Sequence, residues 1–346
     1  MPSTPRTLSQ RALNRALLAR QGLLERFDTS LPKLLERIGG IQAQYAPSMY
    51  VGVWSRLANF ERDQLTRALE RKSVVQATLM RATIHLVSAR DYWPFEVAVR
   101  GFRRDWWIRI NKGRADARAL DAAAKRMRER LAAGPLSRKE MDELLGKELG
   151  RLFWMWIDLV RVPPSGTWER RRADIYASAE EWLGPPNSSP REGVERLVRA
   201  YLSGFGPAAR ADIADWAGLP MKEVGPVLEE MRLRRFADEA GTELVDLLRA
   251  PLPDSETPAP VRFLPTWDAT LLVHARRSGI LPEEHRPKVF GIKTPHSFST
   301  FLVDGAVAGK WRYEKGAVRL EPFGRLDRST KRALEDEAER LKAFHE

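Results

Sequence analysis

The chain has 346 residues, 43% of them hydrophobic and 30% charged, which suits two to three domains with a full core. It has no cysteine, which excludes disulfide stapling, thiolate catalysis and Cys-ligated zinc. The 58 Lys+Arg against 46 Asp+Glu leave a net charge of +12, which fits a phosphate polyanion or, equally, an arginine-rich chain with no such partner.

Leu8 to Arg26 carries Leu13, Leu17, Leu18 and Leu24 at helical spacing and ends at Asp28-Thr29-Ser30. Leu31–Ile38 is a short helix stopped by Gly39-Gly40, and Tyr50–Leu57 and Glu61–Arg71 are further helices. Two β-rich runs, from Val74 to Met80 and from Thr83 to Val87, then predict a hairpin. Helices followed by a hairpin are the layout of a winged helix. The pattern recurs. Asp121–Ala132 is helical, and Ser137 with Glu140 forms a capping box opening a helix to Leu145. A helix around 146–156 follows, then a strand at Asp158–Val162 and a tight turn at Pro163-Pro164-Ser165-Gly166 before Thr167-Trp168.

After a linker at 184–190, Arg191–Tyr201 is helical. Ala208–Ala217 and Met221–Met231, parted by Gly218-Leu219-Pro220, read as a helix-turn-helix. Phe236-Ala237 and Glu243–Leu247 supply its wing around Gly241-Thr242. Beyond the proline-rich 251–260 lies a β-rich segment whose clearest hairpin pairs Ala308–Tyr313 with Ala317–Pro322. A helix from Ser329 to His345 closes the chain. The expected fold is mainly α with β: winged helices at 1–100, 101–184 and 191–250, then a small β-rich domain with a terminal helix at 261–346.

From Arg100 to Arg130 there are eleven Lys/Arg and four Asp/Glu, a net of +7, with Trp106 and Trp107 among them. Such a block serves either as a phosphate-contacting surface with stacking aromatics or as an amphipathic helix with its tryptophans in the core. The N-terminus MPSTPRTLSQRALNRALL lacks a signal-peptide core, and no run approaches the ~20 apolar residues of a membrane span. Cytoplasm is the expected location, with no membrane partner.

His85, His274, His285, His296 and His345 fall in no metal-ligand spacing, so no metal and no cofactor are expected. A lone His85 in an apolar strand reads as a buried histidine. Composition and spacing alone stop at a multi-winged-helix DNA-binding protein.

One segment goes further. Gly39-Gly40-Ile41-Gln42-Ala43-Gln44-Tyr45-Ala46-Pro47 resembles the Gln-x-Gln signature of the AlkZ-like winged-helix DNA glycosylases. Blocks at 78–88 and 159–168 resemble that family's first two wings, and those at 263–268 and 302–311 resemble its C-terminal domain. The resemblance covers nearly the whole chain. It implies three tandem winged helices plus a small C-terminal β-barrel-like domain, shaped around double-stranded DNA, and excision of alkylated purines with Gln42 and Gln44 essential. Three non-identical modules in one chain would wrap one duplex as a monomer. Glutamine in place of aspartate at position 44 points to the group linked with bulky N7-guanine adducts and crosslinks. The rival readings are a transcription regulator and a non-catalytic binder of damaged DNA.

Residues two apart in a helix point roughly 200° away from each other, whereas in an extended segment they share a face. Paired glutamines therefore require an extended or irregular stretch here. Bulky adducts further predict no deep base pocket around Gln42; a tight aromatic-lined cavity there counts against that reading. Phosphate-contact candidates are Arg81 in the first wing, Arg100, Arg103, Arg104 and Arg109 in the basic block, and Arg170, Arg171 and Arg172 after the second wing. Lys310, Arg312 and Lys315 on the last hairpin complete the set. His85 and Asp268, which recur in the family-like blocks, are candidates for lining the site.

Overall fold

The computed structural model describes residues 5–113, 116–172, 174–272, 279–291 and 296–346, and of residues 151–153 the backbone only. His274 lies outside the described residues. The strands are β1 (Arg6–Leu8), β2 (Ile41–Gln42), β3 (Val74–Thr78), β4 (Ile84–Ser88), β5 (Leu136–Ser137), β6 (Leu159–Arg161) and β7 (Ile175–Ser178). They continue with β8 (Leu233–Asp238), β9 (Glu243–Leu247), β10 (Arg262–Leu264), β11 (Thr300–Val303), β12 (Ala306–Glu314) and β13 (Ala317–Pro322). With the intervening helices this is a mixed α/β fold.

The first two expected hairpins, β3–β4 and β6–β7, merge into one six-stranded sheet of order β2-β4-β3-β6-β7-β5. The second hairpin does not return at Thr167-Trp168. It returns at β7, after a loop tied by Ser165: its Oγ donates to the Arg172 carbonyl at 2.7 Å and accepts from Asp174 N at 2.6 Å. The hairpin expected after the two short helices is present as β8–β9, and β1 joins it as a parallel strand on β8. Nothing local announces that pairing, because its partners lie more than two hundred residues apart in the chain.

The basic block is divided between helix Ala117–Leu131 and the C-terminal half of helix Ala89–Ile110, which is entered from β4 through Ser88, whose Oγ accepts Asp91 N. Helix Pro190–Phe205 crosses helix Ala89–Ile110 so closely that a Cβ on Gly193 would lie 2.2 Å from the Pro94 carbonyl. This contact, with Trp93, Phe95, Tyr201, Phe205 and Trp216 around it, centres the largest core cluster.

The C-terminal strands form an open four-stranded sheet of order β10-β11-β12-β13 instead of a barrel-like closure. Its hairpin turns on two residues with positive φ, Lys315 (52°) and Gly316 (73°), the conformation that matches strand twist. The terminal helix, Arg328–His345, is capped by Asp327 and buries Leu334, Ala338 and Leu341 in the second core cluster.

Candidate functional site

Helix Leu31–Ile38 ends on Gly39 (φ 79°), and Gly40 follows at φ 81°. A Cβ at Gly40 would stand 2.9 Å from Val87 Cγ1 and 3.0 Å from the Leu86 carbonyl, so only glycine lets the chain reach β4 this closely. The chain then runs extended along β4, pairing Ile41 with Leu86 and Gln42 with His85. Ala43 N donates to the Ile84 carbonyl at 2.7 Å, and Gln44 Oε1 accepts Ile84 N at 2.8 Å. Helix Ala46–Trp54 takes over with Pro47 in its first turn.

Gln42 thus lies on an extended strand and Gln44 on the bend that follows it, so the segment is irregular and the strand's common-face rule does not extend to Gln44. Their circumstances differ. Gln42 is only 8% exposed, and its carboxamide makes no hydrogen bond to another described residue, while Gln44 is exposed and fastened to Ile84. Directly opposed residues of an antiparallel pair project to the same side, which places His85 beside Gln42. His85 Nδ1 lies 3.0 Å from the Thr83 carbonyl, which can only accept, so Nδ1 carries the hydrogen and Nε2 the lone pair. Burial, reinforced by Arg81, pushes the imidazole down to about 3, and it is neutral at pH 7.

Asp268 is buried in an ion pair with Arg56. Both its oxygens accept from Arg56 Nη2, at 2.8 and 2.9 Å, and Oδ1 also accepts Thr270 N and Oγ1. Arg56 is itself buried and bonded to Gln21 Oε1 and the Gly52 carbonyl. The pair clamps the first helices to the C-terminal segment.

The basic block divides. Arg103 is buried and forks onto Glu96 at 2.5 and 3.0 Å while donating to the Thr78 carbonyl at 2.6 Å. Burial pushes the Glu96 carboxyl up to about 7 against the pull of Arg103. Arg104 donates to the carbonyls of Met155 and Trp156, and Arg100 meets Asp158 at 3.3 Å. These three fasten the long helix to the first and second wings, and Arg103 has no surface to offer a phosphate. Arg109 stands exposed at the helix end. It shares a 680 Å³ cavity with Arg81, Trp106 and Lys222, across which the first wing faces the helix-turn-helix. Arg81 sits at φ 52° in the wing turn and donates to the Trp216 carbonyl.

In the second wing Arg170, Arg171 and Arg172 are all exposed; Arg170 lies 3.9 Å from Asp174, and Arg171 donates to Tyr45 Oη at 3.3 Å. On the last hairpin Lys310 meets Glu321 at 3.0 Å, Arg312 meets Glu314 at 3.1 Å, and Lys315 is exposed at the tip. Neither Gln42 nor Gln44 is in the wall of the cavity at Arg81 or of a 280 Å³ aromatic cleft that opens at Tyr45, the residue after Gln44. Sequence reasoning missed this cleft, since its walls come from six separate stretches of chain. It missed Ile84 as well, which acts through its backbone and leaves no residue-type signal.

The family model described as DNA glycosylase AlkZ-like matches residues 35–344. A Streptomyces sahachiroi protein named interstrand DNA cross-link repair glycosylase is 24% identical over 355 residues, an alignment covering 93% of this chain and 92% of that protein. The solved structure of Streptomyces sahachiroi DNA glycosylase AlkZ matches with a TM-score of 0.81 at 20% identity, covering 98% of this chain and 97% of that one. No helix among the described residues is long and apolar enough to cross a membrane.

Proposed function

Because the chain belongs to the AlkZ-like DNA glycosylases, we propose that it hydrolyses the N-glycosidic bond of alkylated purines, N7-guanine and N3-adenine adducts, in duplex DNA. The name of the Streptomyces relative extends the proposed range to bulky adducts and interstrand crosslinks. We read the three helix-and-hairpin sets as winged-helix modules that wrap one duplex as a monomer.

The observation that carries the reading is the unbonded Gln42 carboxamide on an extended segment beside a neutral His85. An alkylated purine already bears positive charge, so its departure needs no strong acid. Water forms its bond to C1′ as the C1′–N9 bond breaks. The bonding electron pair passes to the purine and neutralises it, and the water proton leaves to solvent. A carboxamide oxygen orients that water and faces the cationic sugar, but it takes no proton. Such a weak catalyst spares undamaged purines, which do not leave unaided. Gln44 spends its carbonyl on Ile84 N, which holds the bend against β4 and leaves its amide N–H groups for the DNA.

The test is abasic-site formation in a duplex carrying one N7-methylguanine, repeated with N3-methyladenine and with an N7-linked crosslink. Excision by the intact chain that is lost in Gln42→Ala supports the proposal. Tight sequence-specific binding with no release from any of the three duplexes overturns it in favour of a regulator.

A further inference from the structure

The 280 Å³ cleft beginning at Tyr45 is walled by Tyr45, Trp168, Phe298, Trp311, Tyr313 and His345. Tyr45 and Phe298 keep 49% and 40% of their surface exposed, although both are large aromatic side chains. The others are fixed. Trp311 Nε1 donates to the Leu264 carbonyl at 2.9 Å, Trp168 packs edge-on against Tyr50 and His345, and Tyr313 stacks on His345 at 4.2 Å. Burial holds His345 below the usual imidazole range, and Arg62 and Arg171 lower it further. Its Nδ1 meets the Leu341 carbonyl at 2.8 Å, leaving Nε2 as an acceptor.

Among the described residues the cleft has no acidic lining residue, and it carries Arg171 and Arg312 on its walls, both exposed. The larger cavity at Arg81 differs in this respect, because Asp105 and Asp215 line it. Rigid ring faces with cations and no carboxylate suit a flat aromatic group joined to phosphate. The volume falls just below the range for ligand sites, about 300–1,000 Å³, and so fits no more than one ring system.

We propose that this cleft receives a single planar aromatic ring carried on a DNA strand, next to the Gln42–Gln44 segment. The ring is a nucleobase displaced from the stack, or the aryl part of an adduct. The proposal rests on DNA as the partner and is independent of the excision chemistry.

The first arm of the test therefore uses DNA with no scissile adduct: a duplex with one unpaired 2-aminopurine and the same duplex fully paired. The intact chain should bind the unpaired duplex at least tenfold more tightly, with a change in 2-aminopurine fluorescence. Phe298→Ala and Tyr45→Ala, at exposed positions where thermal melts verify folding, should each remove about tenfold of that preference. The second arm compares binding of N7-benzylguanine and N7-methylguanine duplexes. A preference for benzyl that Phe298→Ala abolishes, without any preference in the first arm, identifies the adduct as the source of the ring. Equal binding of both members of each duplex pair by the intact chain overturns the proposal. So does a preference that both variants retain. Loss of excision alone bears on Gln42 and leaves this inference standing.

Discussion

Gln44 Oε1 accepts the Ile84 backbone N–H at 2.8 Å, two residues along the chain from a Gln42 carboxamide that has no such bond among the described residues. One glutamine is anchored and the other is free, so their substitutions should differ in kind. Gln44→Ala leaves an edge N–H without its partner, at a cost of about 0.5–1.5 kcal/mol. Gln42→Ala removes no bond and should leave the melting temperature near that of the intact chain. Its single-turnover excision rate should nevertheless fall by about 10²–10³, the usual loss for one preorganised electrostatic contact to a transition state. Melting curves beside single-turnover rates check both. A Gln42→Ala protein that melts early and excises normally reverses the assignment.

His85 sets a pH dependence of known sign. The unfolded imidazole takes its proton near 6.5 and the folded one near 3, so between these values the unfolded state binds the extra proton. The stability contributed by neutral His85 is intact above pH 6.5 and falls by about 1.4 kcal/mol for each pH unit below it, until about pH 3. Glu96 acts oppositely. Its carboxyl, raised from 4.5 to about 7, favours the fold below 4.5 and loses that contribution as pH rises through 7. The difference between the intact chain and His85→Gln in urea titrations at pH 7 and pH 5 isolates the imidazole, and the variant should show the shallower decline. A neutral His85 also makes no proton transfer at neutral pH. An excision profile inflected near pH 6.5 that His85→Gln flattens contradicts this.

The sequence made the local elements legible wherever glycine or a cap punctuated them. Gly39-Gly40, Ser137 with Glu140, and Gly218 each ended or opened an element close to where the spacing predicted. Long-range pairings left no such trace. β1 on β8 and the shared six-stranded sheet depend on surfaces that meet only after folding. The basic block shows the same limit in electrostatics. Arg103 and Arg109 are the same residue type six positions apart on one helix, yet one is buried on Glu96 and the other is exposed. That the Gln42–Gln44 segment is no regular helix was accessible to reasoning, because a helix would point residues two apart away from each other.

Asp268 should prove structural. Its carboxylate is buried on Arg56, and removing one member of such a pair leaves an uncompensated charge, at about 3–5 kcal/mol. Asp268→Ala should lower the urea midpoint strongly while excision per folded molecule stays close to normal. The double substitution Arg56→Met with Asp268→Leu should recover much of the loss, since it leaves no lone charge in the interior. If excision by folded Asp268→Ala falls a hundredfold, Asp268 belongs to the reacting centre after all.

Salt dependence separates the cations that meet DNA from those that hold the scaffold. Each phosphate contact contributes about 0.9 to the slope of log affinity against log salt on duplex DNA. Arg109 and Lys315 are exposed and have no ion pair among the described residues, and Arg312 pairs only with the exposed Glu314. Substituting any one of the three by Ala should reduce the slope by about 0.9 and leave the melting temperature nearly unchanged. Arg103→Ala should do the reverse, because its guanidinium is held by Glu96 and the Thr78 carbonyl inside the protein. It should unfold early, and its folded fraction should keep the full slope. Fluorescence anisotropy with an unmodified duplex between 50 and 200 mM salt, roughly the range over which phosphate contacts are most legible, makes the measurement. An unchanged slope in all three exposed variants would move the DNA-contacting surface away from the helix end and the last hairpin, toward the exposed arginines of the second wing.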